Sequence, residues 1–333
     1  MNNGREYIIQ TENLTKHFRQ IVAVDSLQLN IKKGEIFGLV GPDGAGKTTT
    51  LRMLAGIMDP TEGNATIAGF DLRQQTEAIK AHIGYMAQQF ALYGDLSVLE
   101  NISFFADVFA IRGKVRQERI ERLLGFARLT EFTDRRAGRL SGGMKKKLGL
   151  ACALIHEPNI LYLDEPTTGV DPVSRREFWD ILAGLHVEGT TILVSTPYMD
   201  EAERCSRIGL MYGGRLVEQG TPDQIKALIP GHLVEFKPES KQLRGVGLLR
   251  KSERVISRQE GILEVQSYGD LMHVFVDDID RRRPQLETVL AEEQIRMANF
   301  RPTLPRMEEA FISLINKMQQ ADNRQENGPT DKL

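Results

Sequence analysis

Short apolar runs alternate with stretches of helical spacing through the first two thirds of this chain. The runs 36–40, 83–86, 160–165 and 191–195 are rich in Ile, Leu and Val and indicate buried strands. Between them, apolar residues recur at the three-to-four spacing of amphipathic helices. Strands that alternate with helices predict a largely parallel α/β sheet with helices on both faces.

The helical stretches carry sequence signals for their starts. The pattern is helical from Ser97 to about residue 126 and is broken at Gly113. Ser97 followed by Glu100 is the capping-box pattern, in which each residue bonds the backbone N–H of the other. Further helices are predicted from the 140–144 segment to about residue 156, and over 172–186, which opens with proline.

The N-terminal part has a different texture. A first strand is predicted over 7–11, an alternating half-buried antiparallel strand over 23–31, and a short strand over 63–69. Phe18 lies on the turn expected around 16–20. A turn aromatic of this kind is either a partial core residue or a surface on which a base can stack.

The pattern changes again near residue 231. Short alternating runs such as 233–236 and 272–276 are surrounded by polar turns and predict a small α+β domain that ends in a helix over 305–318. Residues 319–333 are polar with Gly and Pro, so we expect a disordered tail. The expected division is therefore 1–230, 231–318 and 319–333, with no internal repeat.

The amino-acid composition argues against some classes of function but does not point to a particular one. The chain has 333 residues, and its 43 basic and 45 acidic side chains give no electrostatic argument for nucleic-acid binding. Because the chain has only two cysteines, we expect no disulfide framework. Its histidines form no metal-ligand arrangement, so we expect no structural metal. We expect no signal peptide and no span of roughly 18 apolar residues. If the protein works at a membrane, another protein must hold it there.

One segment carries specific chemistry. Residues 41–48 match G-x-x-x-x-G-K-[ST], the phosphate-binding loop, between an apolar strand and a helix expected from Thr49. Glycines allow backbone N–H groups to turn around a polyphosphate, the helix N-terminus adds its dipole, and Lys47 reaches the β/γ-phosphates. Thr48 is expected to bind Mg²⁺. The residues predicted to hold ATP are Gly41, Pro42, Asp43, Gly44, Ala45, Gly46, Lys47, Thr48 and Thr49.

Acidic residues follow the predicted strand at 160–165. Carboxyl ends of parallel strands are where α/β sheets place their chemistry. We expect Asp164 to hold Mg²⁺, directly or through water, and Glu165 to polarise the attacking water. Gln88, at another strand end, can reach the metal or that water. The predicted catalytic residues are thus Glu165, Gln88 and Lys47, with Thr48, Gln88 and Asp164 at the metal.

A second anion-binding helix start is predicted at Leu-Ser-Gly-Gly-Met, residues 140–144. Ser141 and the amides of Gly142 and Gly143 open that helix. Two phosphate sites on one chain make sense if one of them faces a different molecule. The three lysines that follow, 145–147, are expected on a solvated helix face.

Together these residues resemble an ATP-binding cassette (ABC) transporter ATPase over about residues 7–229. In that family, the L-S-G-G segment of one subunit closes over the ATP held by another. The resemblance implies that Phe18 stacks on adenine and that Asp171 communicates across the dimer. Its six motifs, in the family's order, are Phe18, 41–48, Gln88, 140–144, 160–165 and 169–171.

The subfamily resembles the cytosolic ATPases of type-2 ABC exporters, which include daunorubicin-resistance-type pumps. The segments 140–145, 167–172 and 200–203 are similar to that group, and 301–311 is similar to its C-terminal motif. The implied fold is an α/β P-loop NTPase cassette with a mostly parallel sheet, an antiparallel β subdomain and a helical subdomain (about 90–150), plus a small C-terminal α+β domain.

One position departs from the family pattern. The family usually has a His after the strand at 191–196, where it hydrogen-bonds the γ-phosphate, and this chain has Pro197. Proline offers neither a side-chain donor nor a backbone N–H. We therefore expect secure nucleotide binding with slow hydrolysis, unless Gln88, Glu165 and the Thr196 hydroxyl suffice.

The function expected from the resemblance is an ATP-hydrolysing exporter subunit, peripheral on the cytoplasmic side of the membrane. Its partners would be an integral-membrane permease, contacted near residues 91–96, and a second cassette, either identical or different. The alternatives are a weakly hydrolysing regulatory cassette beside an active partner, and a soluble non-transport ABC ATPase. The exported substrate is selected in the permease and cannot be read from this chain.

Overall fold

The structure, a computed structural model, describes residues 6–89 and 91–326, with side chains to residue 319. It divides into two compact units between Thr221 and Pro222. The boundary expected at residue 230 lies downstream of this division, because a short helix at 222–226 contacts the last helix of the chain. The two units are described separately below.

The N-terminal unit contains the alternating elements that the sequence predicts. Their bounds, in chain order, are β1 Tyr7–Phe18, β2 Ile21–Leu27, β3 Asn30–Lys32, β4 Ile36–Val40, α1 Lys47–Leu54, β5 Glu62–Ile67, β6 Phe70–Asp71, α2 Thr76–His82, β7 Ile83–Met86, α3 Val98–Val108, α4 Gly113–Phe126, α5 Gly142–Leu154, β8 Ile160–Asp164, α6 Pro172–Val187, β9 Thr191–Thr196, α7 Met199–Ala202, β10 Arg207–Tyr212 and β11 Arg215–Gly220.

The main sheet has six strands in the order β11-β10-β4-β9-β8-β7. Strands β10, β4, β9, β8 and β7 pair in parallel, and β11 is an antiparallel edge strand. Every residue of β4, β8 and β9 is buried, as expected for parallel strands covered on both faces. The predicted parallel α/β sheet is confirmed.

A smaller antiparallel sheet follows the order β2-β1-β5-β6, with β3 also paired to β1. Here two details differ from the prediction. Strand β1 continues to Phe18, so the turn is confined to Arg19 and Gln20, where Arg19 adopts φ 54°. The strand predicted over 23–31 is split after Leu27 into β2 and β3, because each part pairs with a different stretch of β1.

Helices α3, α4 and α5 form the predicted helical region. Ser97 and Glu100 close the capping box at α3, as predicted, and the Ser141 side chain caps α5. The expected break falls before Gly113, which has φ 64° and opens α4. Asn101 on α3 is fully buried. Its side chain holds the preceding loop by hydrogen bonds to the backbone N–H and carbonyl of Tyr93.

The C-terminal unit contains an antiparallel sheet and four helices. The elements are α8 Pro222–Lys226, β12 His232–Glu239, α9 Gly245–Ile256, β13 Ile262–Tyr268, β14 Leu271–Val276, α10 Ile279–Glu292, β15 Arg296–Thr303 and α11 Met307–Glu326. The four strands are ordered β13-β14-β12-β15. Helices α9 and α10 pack on one face of the sheet, over a core that includes Val234, Phe236 and Val274.

The last helix is longer than predicted. It continues to Glu326, so residues 319–326 are helical where the sequence led us to expect disorder. The reason is that Ala, Arg, Gln and Glu favour helix and that neither Gly nor Pro interrupts the sequence before Gly328. Residues 327–333 of the expected tail lie outside the described residues. Within the described part of the chain, no helix is long and apolar enough to cross a membrane.

Candidate nucleotide-binding site

The phosphate loop connects β4 to α1 as a tight turn. Helix α1 begins at Lys47, two residues before the start predicted from the sequence, so Lys47, Thr48 and Thr49 form its first turn. Gly46 has φ 103°, and a Cβ there would lie 2.4 Å from the Ala23 carbonyl oxygen, so only glycine fits. Asp43 and Gly44 are exposed at the apex, whereas Gly41 and Ala45 are buried.

Lys47 is folded over its own loop. Its side chain is 3% exposed, and Nζ donates to the carbonyl oxygens of Gly41 at 2.8 Å and Pro42 at 2.9 Å. The carboxylate of Glu165 is the nearby counter-ion, with Oε1 3.4 Å from Nζ. A buried ammonium group held mainly by two neutral carbonyls is well suited to exchange those partners for phosphate oxygens.

Asp164 ends β8 and is almost fully buried. Its Oδ1 accepts hydrogen bonds from Thr48 Oγ1 at 2.9 Å and Ser195 Oγ at 2.8 Å, and Tyr85 OH lies 3.4 Å from Oδ2. Burial, with the neighbouring Asp164 charge, raises the pKa of Tyr85. Three neutral hydroxyl donors therefore hold this carboxylate beside the first turn of α1.

Glu165 follows in a left-handed backbone conformation, φ 46°, which is uncommon for a residue with a side chain. Its N–H donates to both the carbonyl and the hydroxyl oxygen of Ser195, at 3.1 and 3.0 Å. Its Oε2 accepts from Gln88 Nε2 at 2.8 Å and Thr168 Oγ1 at 3.3 Å. The turn thus points the carboxylate towards Gln88 and Lys47, as the sequence led us to expect of these three residues.

Two lysines of α5 have partners, contrary to the expected solvated face. Lys146 Nζ donates to the Gln88 carbonyl at 2.6 Å, and burial lowers the pKa of Lys146. Lys147 is buried and pairs with Glu177 on α6. Of the three, only Lys145 is exposed. The sequence could not identify these roles because they depend on residues far along the chain.

The 140–144 segment lies beside the turn that starts α6. Ser141 Oγ accepts from the Met144 N–H, and a Cβ on Gly143 would lie 2.5 Å from the Ser174 hydroxyl. Asp171 caps α6 by accepting from the N–H groups of Val173 and Ser174, and the Ser174 bonds hold the Asp171 pKa below its usual value. Ser141, Gly142 and Asp171 are exposed, so this surface is open to a second molecule.

The remaining candidate residues lie at two strand ends. Phe18, at the end of β1, is 43% exposed with Lys16 Nζ 5.4 Å from the ring centroid, so it is not a core residue. Pro197 directly follows β9. The Thr196 hydroxyl donates to Glu201 Oε2 at 2.6 Å and accepts from the Tyr198 N–H, so its one proton is already engaged.

Known proteins of similar sequence agree with this geometry. Residues 24–168 match the ABC transporter family. The daunorubicin resistance ATP-binding protein DrrA2 of Streptomyces coeruleorubidus is 33% identical over 310 residues, which cover 92% of this chain and 95% of that protein. The probable multidrug ABC transporter ATP-binding protein YbhF of Escherichia coli is 47% identical over 222 residues. That match covers 67% of this chain and 38% of the relative's length.

Solved structures of ABC transporter cassettes are similar to about two thirds of this chain. The structure of cbiO1 from Clostridium perfringens, part of the ABC transporter complex cbiONQ, has a TM-score of 0.62 at 28% identity over 67% of this chain and 92% of that chain. A dimeric post-hydrolysis state of the cassette MJ0796, bound to ADP and Pi, has a TM-score of 0.59 at 28% identity over 64% of this chain and 98% of that chain.

The fold and the phosphate-loop geometry define an ATP-binding cassette of the P-loop NTPase class. The chain belongs to the ABC transporter family of ATP-binding proteins, a family of ATPases. The resemblance and the fold class predicted from the motifs are confirmed.

Proposed function

We propose that this chain is the ATP-hydrolysing subunit of a membrane exporter, and that it drives a separate permease by ATP-dependent pairing of two cassettes. The observation that carries the proposal is the convergence of Lys47, Asp164, Glu165 and Gln88 at one edge of the main sheet. Relatives named for daunorubicin resistance, multidrug transport and Nod factor export support the export role.

ATP binding would exchange internal bonds for bonds to phosphate. Lys47 would leave the carbonyls of Gly41 and Pro42 for the β/γ-phosphates, and the loop N–H groups would face the phosphate oxygens. The exposed Phe18 ring would stack on the adenine. Because the internal partners of Lys47 are neutral oxygens, little is lost when they are replaced.

The oxygen donors beside α1 fit Mg²⁺. The Thr48 hydroxyl and the Asp164 carboxylate already lie 2.9 Å apart, and hydroxyl and carboxylate oxygens are ligands that this ion accepts. Gln88 would contribute from the next strand end. When bound, the ion would neutralise charge that develops on the phosphates.

In this proposal Glu165 would polarise the attacking water. Lys47 and the Gln88 amide lie on either side of its carboxylate. Gln88 and Thr168 occupy Oε2 before ATP binds, so Oε1 would be the oxygen that accepts from the water once Lys47 contacts the phosphates. The backbone bonds to Ser195 keep the glutamate directed at the phosphate loop during this exchange.

The second cassette would supply the missing side of the ATP site. Ser141 and the amides of Gly142 and Gly143 open α5 at an exposed surface, and Asp171 lies beside them. These groups would face ATP held by the partner cassette, identical or different, while the partner's equivalents would face ATP held here.

The permease would dock beside the Gln88 strand end. Apolar side chains are exposed on the 91–96 loop and the adjoining part of α3, including Tyr93 at 48% and Phe104 at 38%. Tyr93 packs edge-on against Phe104, with ring centroids 4.6 Å apart. An exposed apolar surface next to Gln88 would link the catalytic state to the partner, and it would hold the chain at the cytoplasmic face of the membrane.

A second candidate, a binding cassette that hydrolyses slowly beside an active partner, is favoured by one observation. Pro197 has no donor, and the Thr196 hydroxyl donates to Glu201 instead of towards the nucleotide. Neither Thr196 nor Pro197 therefore offers a side-chain donor to the γ-phosphate. In that arrangement, most turnover would occur at the partner's site.

Residues 222–326, which include the expected accessory domain 231–318, carry no phosphate-loop pattern. We propose that they serve assembly with the permease or the second cassette.

The test of the proposed function is ATP hydrolysis by the purified chain, alone and reconstituted with the permease that co-purifies from solubilised membranes. Stimulation by the permease supports an exporter subunit. Tight ATP binding without hydrolysis under either condition would instead establish the regulatory cassette.

A further inference from the structure

Glu201 is a fully buried carboxylate that is not among the predicted catalytic, nucleotide-binding or metal-binding residues. It is 0% exposed on the short helix α7. Its Oε2 accepts from Thr196 Oγ1 at 2.6 Å, and its Oε1 accepts from Thr167 Oγ1 at 2.5 Å. A buried carboxylate needs such donors, because an ionised group without them is strongly destabilising. A carboxylate at a fully buried position therefore calls for a specific role.

Both threonines lie on the chain segments that build the catalytic centre. Thr167 follows Glu165 by two residues, and the adjacent Thr168 donates to Glu165 Oε2. The Thr196 carbonyl accepts the N–H of Gly41, the first residue of the phosphate loop, at 3.3 Å. One carboxylate therefore joins the loop after β8, which carries Glu165, to the end of β9, which supports the phosphate loop.

A cation faces this carboxylate across an incomplete hydrogen bond. Arg175 Nε lies 3.7 Å from Glu201 Oε1, and Nε is buried without an acceptor within bonding distance. The guanidinium stacks over the Tyr198 ring, 4.3 Å from its centroid. Arg175 is in the first turn of α6, which Asp171 caps at the exposed surface described above. A closer approach of the start of α6 would bring this pair into hydrogen-bond distance.

We infer that Glu201 is a positioning residue for ATP hydrolysis. Its carboxylate fixes the Glu165 loop against the end of β9, and Arg175 transmits movement of the partner-facing start of α6 to that carboxylate. The inference rests on the proposed hydrolytic function for its kinetic part. Its structural part, the restraint on the Glu165 loop, is independent of turnover.

The charge of Glu201 matters because both Thr196 and Thr167 donate a hydrogen bond to its carboxylate. An ionised carboxylate accepts from both hydroxyls at once. The isosteric Glu201→Gln has one acceptor oxygen and one NH₂ donor, so one threonine must turn its proton elsewhere. Glu201→Asp keeps the charge but withdraws it by one methylene. These two variants separate charge from reach without opening a large cavity.

The kinetic test compares Glu201→Gln with Asp200→Asn in the intact chain. Asp200 is the matched control, because it is an exposed carboxylate 3.8 Å from Arg175. Glu201→Gln should lower kcat by about 10- to 100-fold, since small misplacements of catalytic groups have effects of this order. The Kd for ATP should stay within about twofold, and Asp200→Asn should change neither quantity.

A double variant distinguishes positioning from general weakening. If Glu201 acts through Glu165, adding Glu201→Gln to Glu165→Gln should cause little further loss of hydrolysis. Glu201→Asp should recover part of the Glu201→Gln loss. Additive losses in the double variant, or an equal fall in ATP affinity, would overturn the positioning role.

Hydrogen exchange tests the restraint without turnover. In the nucleotide-free chain, peptides covering residues 164–170 should exchange about tenfold faster in Glu201→Gln than in the wild type or Asp200→Asn. Unchanged exchange would overturn the inference even if the chain hydrolyses ATP rapidly. A wild-type chain that does not hydrolyse ATP, yet shows the exchange difference, would refute the proposed hydrolytic function and leave the positioning contact established.

Discussion

Each unit of this chain buries a pair of carboxylates, but it neutralises them differently. At the nucleotide site, hydroxyl and amide donors account for most bonds to Asp164 and Glu165, with Lys47 at 3.4 Å. In the C-terminal unit, Glu235 and Glu309 flank the buried His273, with Nε2 3.2 Å from one and Nδ1 2.9 Å from the other. Neutral groups make most of the bonds to the first pair, whereas His273 bridges the second pair.

Further hydrogen bonds and a ring contact complete the second cluster. Arg301 donates to Glu235 through Nε and Nη2, at 2.9 and 2.7 Å, and the Arg306 N–H donates to Glu309 Oε2 at 2.7 Å. Tyr268 stacks over the His273 ring. These bonds connect β12, β14 and β15 to the start of α11. The comparison indicates that the two carboxylates of the nucleotide site are poised to change partners, whereas Glu235 and Glu309 hold elements together.

The largest expected effect comes from removing the charge of Glu165. Glu165→Gln keeps the shape of the side chain but cannot accept the proton from water, so hydrolysis should fall by about 10²- to 10⁴-fold. ATP should still bind and should trap a cassette dimer. Gel filtration with and without ATP measures this, and a variant that stays monomeric with ATP would contradict the shared-site proposal.

Removing the Lys47 charge should act on binding. Lys47→Ala deletes the ammonium group proposed to contact the β/γ-phosphates, so the Kd for ATP should rise by about 10- to 100-fold, as expected for a charged hydrogen bond. Titration with a fluorescent ATP analogue measures it. Lys145→Ala, at an exposed position on α5, is the control and should bind ATP normally.

A donor introduced after β9 should raise the rate. Because the Thr196 hydroxyl is engaged by Glu201, Pro197→His would add the side-chain donor that this strand end lacks. We expect hydrolysis to increase by about tenfold or more, since a single preorganised donor can contribute 10²- to 10³-fold. A wild-type rate already near 1–10 s⁻¹ and unchanged by the substitution would show that the missing donor is unimportant.

The stability contributed by the cluster of His273, Glu235 and Glu309 should depend on pH. The hydrogen bond to Glu309 raises the pKa of His273 above 6.5, so the stability it adds is complete below pH 6.5 and is lost as the pH rises through the folded-state pKa. His273→Asn should weaken the unit by about 1–3 kcal/mol at pH 6 and by less at higher pH.

Hydrogen exchange of β12 and α11 peptides, compared between variant and wild type at each pH, measures that difference. His232→Asn changes an exposed histidine on β12, the strand paired with that of His273, and should have no effect. A His273→Asn difference that is the same at pH 6 and pH 9 would contradict the assigned charge.

The smallest effect is expected from truncation. A chain ending at Thr221 keeps the elements that form the nucleotide site, so its Kd for ATP should match that of the full chain. Assembly with the second cassette or the permease should weaken. A folded, monodisperse truncation that has lost ATP affinity would show that the C-terminal unit contributes to nucleotide binding.

Local chemistry made much of this site predictable. The phosphate loop, the Ser97 capping box and the Ser141 cap depend on residues a few positions apart, and the acids at 164–165 follow a strand visible from its apolar run. Phe18 needed the structure, since its exposure separates the two readings that its sequence position leaves open.

The missed contacts have a common cause. Ser195 and Tyr85 reach Asp164 from other strands, and Lys146 reaches Gln88 from α5, so sequence separation hides them. Glu201 lies in the acidic segment 200–203, whose sequence carries no local signal of burial. Its burial follows from how α7 packs against β4 and β9, which no local pattern encodes.

Asn101 has a consequence for how fast the proposed permease could engage. Its side chain bonds the Tyr93 N–H and carbonyl and the carbonyls of Leu96 and Ser97, so the exposed 91–96 loop keeps its backbone shape without a partner. A prearranged surface needs no slow rearrangement on encounter, so association should fall in the ordinary range of about 10⁵–10⁷ M⁻¹s⁻¹. Differences in affinity among permease variants should then appear mainly in the lifetime of the complex.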